Sequence, residues 1–142
     1  MVIVGGEFSA DNEIKTFIQK LLQIKNDETK YFGVAGWFPD PNDPDLIFLP
    51  IKKWILVARG IVQFGDQGHI PTGSKVWNID FDGLMNGVKY VRELETSGKK
   101  WNAFWDNCTD EAIIVGNKAG VRTISYRGVT TPKMLSDYLN KK

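Results

Sequence analysis

The sequence contains one cysteine, Cys108, and one histidine, His69, in 142 residues. A lone thiol cannot close an internal disulfide, so nothing in the chain requires an oxidising compartment. One thiol and one imidazole also fall short of a zinc finger or ribbon, and His69 has no ligand partner at useful spacing, so no metal is expected. A surplus of either charge is missing too: 18 basic residues face 17 acidic ones, a formal net charge of +1. Such a chain projects no long-range field, and neither nucleic acid nor an anionic membrane is expected as a partner. The longest strongly apolar run, Trp54 to Ala58, is far too short to cross a bilayer. Met1 to Glu7 lacks the basic start and long apolar stretch of a secretory signal. A soluble protein is expected, cytoplasmic or exported by a route without a classical signal peptide. Gly5-Gly6 is followed by neither a dinucleotide fingerprint nor a Gly-Lys-Ser/Thr ending. It reads as a turn, and no cofactor is expected. No Gly-x-Ser-x-Gly elbow is present.

What the chain has is apolar and aromatic. Hydrophobic residues make up 42% and aromatic residues 12%, with five tryptophans, enough to bury a core without staples. No repeat, low-complexity tract or linker divides it, so residues 1–142 read as a single domain. Val2 to Val4 reads as a short strand. Ser9 or Asp11 caps a predicted helix to about Lys25, where Ile14, Phe17, Ile18, Leu21 and Leu22 recur at three- and four-residue spacing. Tyr31 to Phe38 and Leu46 to Leu49 read as strands. Trp54 to Phe64, apolar on both faces, reads as a central strand or a bent pair. Pro39, Pro41 and Pro44 forbid both ladder pairing and helix between these segments. The acidic residues there, Asp40, Asn42, Asp43 and Asp45, invite a calcium reading. Proline takes two of the ligand positions and the distal glutamate is missing, so a solvated loop is expected.

A second loop, 65–73, carries His69. Lys75 to Asp82 alternates, with Trp77, Ile79 and Phe81 against Asn78, Asp80 and Asp82, and predicts a half-buried strand. Asp82 then caps a helix from Gly83 to Thr96, with Leu84, Val88, Val91 and Leu94 inward. Another helix starts near Asn107 or Cys108, ends near Gly120 and packs through Ala112, Ile113 and Ala119. Arg122 to Tyr126 reads as a short strand. Thr131-Pro132 opens a terminal helix that packs through Leu135, Tyr138 and Leu139. Segregated helices and strands predict an α+β fold, an antiparallel sheet packed with helices.

Cys108 carries the sharpest chemical suggestion. A thiol reacts as thiolate, and a helix N-terminus favours the thiolate through its N–H groups and dipole. The same N–H groups would hold an oxyanion. His69 is the sole imidazole able to serve as base. Asp66, Asp80 and Asn78 are each open as the group that would orient it. Against this stands the plainer reading of Cys108 as a small buried hydrophobe and His69 as a surface-loop residue.

A larger pattern surrounds the cysteine. A segment ending at Phe81-Asp82 leads into a helix to Glu95, then the aromatic stretch Trp101 to Trp105. Asn107-Cys108-Thr109 opens the next helix, which runs into Ala119-Gly120-Val121, and Thr131-Pro132 opens the last. This half of the chain resembles permuted papain-like cysteine hydrolases, the group with NlpC-type peptidoglycan peptidases and lecithin-retinol acyltransferase-like proteins. Gly36-Trp37-Phe38-Pro39 is similar to a strand edge found there. The resemblance implies a papain-like α+β domain, Cys108 as nucleophile, a peptide or peptidoglycan-like amide or ester as substrate, and a setting as bacterial effector or toxin. The family's histidine lies N-terminal to its cysteine, often in Gly-His-x-Phe. Here the nearest string is Gly6-Glu7-Phe8, so either His69 supplies the base or the fold persists without the chemistry. The latter alternative is a non-catalytic domain that binds a partner protein or glycan through aromatic residues.

Overall fold

The computed structural model describes residues 3–8, 31–50, 54–64, 75, 77–121 and 131–141. Among them are five strands: β1 (Ile3–Phe8), β2 (Tyr31–Pro39), β3 (Ile47–Leu49), β4 (Trp54–Phe64) and β5 (Lys100–Asn102). Three helices accompany them: α1 (Phe81–Thr96), α2 (Cys108–Lys118) and α3 (Pro132–Leu139). All strand pairs are antiparallel, so the α+β expectation with an antiparallel sheet is met. The helix expected over 11–25, the loop with His69 and the strand over 122–126 lie outside the described residues.

β4 is the shared strand. Its last residues, Gly60 to Phe64, pair with β2, Trp54 to Val57 pair with β3, and Val57 to Arg59 pair with β5. Val57 is opposite both Ile47 and Asn102, so β3 and β5 flank it on opposite edges. β1 extends the sheet beyond β2, and here one expectation fails. Gly5 and Gly6 form no turn but sit mid-strand, opposite Val34 and Gly33. A run of ladder hydrogen bonds outweighs the weak strand preference of glycine.

One face of the sheet forms the core. Trp37 lies opposite Val62, and Ala58 opposite Trp101, which puts these side chains on a common face. Leu94 of α1 and Cys108 of α2 close over Trp37, with Val62, Tyr90 and Trp101 packed around them. Each large side chain buried this way contributes roughly 1.5–3 kcal/mol. Gly60 makes the arrangement possible, because a Cβ there would stand 1.9 Å from the Trp37 ring. Gly83 does the same for the helix pair: a Cβ would meet the Ala119 carbonyl oxygen at 2.4 Å.

The predicted strand over 75–82 is a second correction. Lys75 and 77–80 form no strand, and Phe81 already begins α1. Trp77 and Ile79 are exposed, with the Lys75 ammonium 5.7 Å from the Trp77 ring centroid. Asp80, not Asp82, is the cap: its Oδ1 accepts from the Gly83 amide at 2.7 Å. A good cap stabilises the helix by about 1 kcal/mol, whereas alternation without a neighbouring strand stabilises nothing. Val88, Val91 and Leu94 are buried as expected, with Met85 rather than Leu84 completing the stripe. α3 starts as read, with Thr131 Oγ1 accepting from the Met134 amide, Pro132 first in the helix and Leu135 buried.

Candidate functional site

Cys108 is the first residue of α2, and its side chain points into the core. It is 8% exposed. A cavity of about 20 Å³ lies beside it, lined by Gly36 and Trp37 of β2, Leu94 of α1 and Glu111 of α2 among others. That is room for roughly one water molecule.

The helix start is already occupied. Asn107 caps α2, its Oδ1 accepting from the amides of Thr109 at 2.9 Å and Asp110 at 3.3 Å. Asp110 Oδ2 accepts in turn from the Asn107 amide at 2.9 Å, completing a capping box. The Glu111 amide bonds the Asn107 carbonyl. The amides of Thr109, Asp110 and Glu111, which the sequence offered as oxyanion donors, therefore have partners within the helix start. Of the other expected groups, His69 and Asp66 lie outside the described residues. Asp80 caps α1, and Asn78 is exposed.

A buried polar cluster stands next to this helix start. Lys99, between α1 and β5, donates to Glu111 Oε1 and, at 2.9 Å, to Asp106 Oδ2. The Tyr90 hydroxyl of α1 donates to Glu111 Oε2 at 2.6 Å. Glu111 is only 2% exposed. Burial and the bond to Glu111 push the Asp106 carboxyl up to about 7, while Lys99 pulls against them. Glu111 is held below its ordinary value by bonds from Asp106, Lys99 and Tyr90, which outweigh its burial. Burial and Glu111 push the Tyr90 hydroxyl up. For Lys99 the bonds to Asp106 and Glu111 override a desolvation cost and raise it. The sequence reading missed Glu111. The signal was there: 108, 111, 112 and 115 share one helical stripe, and an acid within such a stripe marks a buried charge.

The turn entering α2 is the third feature. Asn102 and Asp106 exchange backbone hydrogen bonds, both 3.1 Å. Asn102 Oδ1 accepts from the amides of Phe104 at 2.9 Å and Trp105 at 3.1 Å. The Ala103 amide bonds the Leu56 carbonyl, and the Trp37 indole N–H bonds the Asp106 carbonyl at 3.3 Å. On this fixed turn Phe104 is 60% and Trp105 82% exposed. Ile47, Phe48 and Trp54 are exposed on the β3–β4 pair at the same end of β4.

The acidic loop has no carboxylate to spare for calcium at Asp40. Its Oδ1 accepts from the Asn42 amide, and its Oδ2 takes the Arg59 guanidinium. Asp43 accepts from the amides of Asp45 and Arg59. Arg59 and the Asn42 amide hold the Asp40 carboxyl below the usual range. A shallow cleft of about 330 Å³ between α1 and α2 is lined by Asn86, Lys89, Tyr90, Glu93 and Lys118. No helix of the described residues is long and apolar enough to cross a membrane. Comparison with family models, curated proteins and solved structures finds no match to this chain.

Proposed function

We propose that this chain is a binding domain whose contact surface is the aromatic turn at Phe104-Trp105. The observation that carries this reading is the display of two aromatic side chains to solvent on a hydrogen-bonded turn. Hydrogen bonds by Asn102, Ala103 and Asp106 hold its backbone, so binding carries little backbone ordering cost. Exposed Trp and Phe on a preorganised turn are what interfaces use as anchors. Asn107 and Cys108 then serve the scaffold: the cap fixes the direction of α2, and the thiol fills the core beside Trp37.

The test is partner capture compared across variants. Trp105→Ala and Phe104→Ala abolish recovery of a partner that the wild-type chain captures and that rebinds it when purified, while thermal unfolding is unchanged. Cys108→Ala retains it. Equal recovery by wild type and Trp105→Ala sinks this reading.

A second reading, the papain-like cysteine hydrolase with Cys108 and His69, is favoured by one observation. The cysteine at the first residue of α2 meets β2 beside a small cavity. It predicts turnover of an amide or ester substrate that Cys108→Ala and His69→Ala each remove.

A further inference from the structure

We propose that Asp106, Glu111 and Lys99 form a proton-operated latch on the turn that carries Phe104 and Trp105. The latch closes when the two carboxyl groups share one proton and loosens when that proton leaves to solvent. Its use in controlling a partner rests on the binding reading above; its geometry does not.

The argument begins with a charge count. Lys99 brings one positive charge and donates to both carboxylates, and the Tyr90 hydroxyl brings a neutral donor. Two ionised carboxylates would leave one negative charge without a counterion, with the Glu111 side chain 2% and that of Asp106 16% exposed. Like charges in one desolvated site resist joint ionisation. Glu111 has donors from both Lys99 and Tyr90 and is the better hydrogen-bonded anion, so the shared proton resides on Asp106 and is donated to Glu111. The other groups facing the pair are few among the described residues. α1 contributes Tyr90, the connection to β5 contributes Lys99, and α2 adds Asp110, whose charge disfavours a second anion.

The mechanical link is Asp106 itself. Its amide and carbonyl close the turn on Asn102, and its carbonyl also takes the Trp37 indole. Loss of the proton leaves the two carboxylates that share the Lys99 ammonium as a pair of anions that repel. The Asp106 side chain turns toward water, and its backbone carries the turn with it.

Protein NMR of the wild-type chain tests this without any partner. The Asp106 carboxyl carbon, the amides of Phe104 and Trp105, and the Trp37 indole N–H are expected to titrate with one midpoint above pH 6. Exchange protection of the two amides is expected to fall about tenfold across it, the effect of roughly one pKa unit of coupling. Asp106→Asn, which mimics the protonated form in shape, removes the transition at the turn. A carboxyl midpoint below pH 6 overturns the latch. So does a carboxyl that titrates while the turn signals stay flat, or a turn transition that persists in Asp106→Asn. If the turn titrates as expected but Trp105→Ala leaves partner capture intact, the latch stands and the binding reading fails.

Discussion

Alanine in place of Gly60 tests the packing on which the whole arrangement depends. The added Cβ would stand 1.9 Å from two carbons of the Trp37 ring. Ordinary carbon contacts lie near 3.5–4.0 Å, so the ring must withdraw by about 1.5–2 Å. It has nowhere to go, since Trp37 is 3% exposed and packed under Leu94 and Cys108. Overpacking of this kind costs roughly 1–3 kcal/mol, and losing the indole bond to Asp106 adds about 1 kcal/mol. Alanine also restricts the unfolded chain, and Gly60 is not at positive φ, which returns about 0.5 kcal/mol. The net expectation is a loss of about 2–3 kcal/mol in urea unfolding. The decisive measurement is the double-mutant cycle with Trp37→Leu. That change alone destabilises by about 2–3 kcal/mol, and in its background Gly60→Ala costs less than about 0.5 kcal/mol. Additive losses would refute the claim that the Trp37 ring passes over Gly60.

Two further perturbations probe buried polar groups. Lys99→Met strips the cation from both carboxylates and costs about 2–3 kcal/mol at pH 7.5, toward the low end for a broken buried pair because Lys99 is itself partly exposed. Its sign with pH follows from the neighbours. Without Lys99 both native carboxyls bind protons more tightly than in the unfolded chain, so the loss shrinks as pH falls from 7.5 to 5, and a pH-independent loss in chemical unfolding contradicts the assignment. Thr109 is fully buried, and its Oγ1 has no hydrogen-bond partner among the described residues. Thr109→Val keeps the shape and removes the unsatisfied hydroxyl, so a gain of about 1 kcal/mol is expected, and a loss shows that the hydroxyl is used.

Local chemistry carried most of what was legible in the sequence. The Thr131-Pro132 helix start and the helix start near Asn107-Cys108 each depend on neighbours within a few residues, and each appears as read. The proline loop also appears, although Pro39, expected in it, ends β2 opposite Gly60, as a last strand residue can. The bounds of Trp54 to Phe64 match the strand, because a run apolar on both faces stands out as a strand without knowledge of its partners. Readings that required a distant partner fared worse. Lys75 to Asp82 has the alternation of a strand, yet Asp80 is taken by the α1 cap. Gly5-Gly6 looked like a turn because the β2 ladder opposite it is invisible in one dimension. The site divides in the same way. The helix-start position of Cys108 was readable from Asn107, Thr109 and Asp110, but the burial of its thiol depends on Trp37, some 70 residues earlier. The Lys99–Glu111–Asp106 cluster is a tertiary meeting of three segments, announced only by an acid in an apolar stripe.

The binding and hydrolase readings part at the thiol, and its reactivity in the folded chain is the most direct measurement of all. Iodoacetamide labelling of Cys108 at pH 8 would be timed by mass spectrometry in the native chain and in urea. A cysteine 8% exposed in the core reacts only through opening of the structure. The account predicts native alkylation at least ~100-fold slower than in the unfolded chain, as for openings that cost about 3 kcal/mol. A native thiol that reacts as fast as the unfolded one, or faster, would contradict the account and return Cys108 to the role of nucleophile.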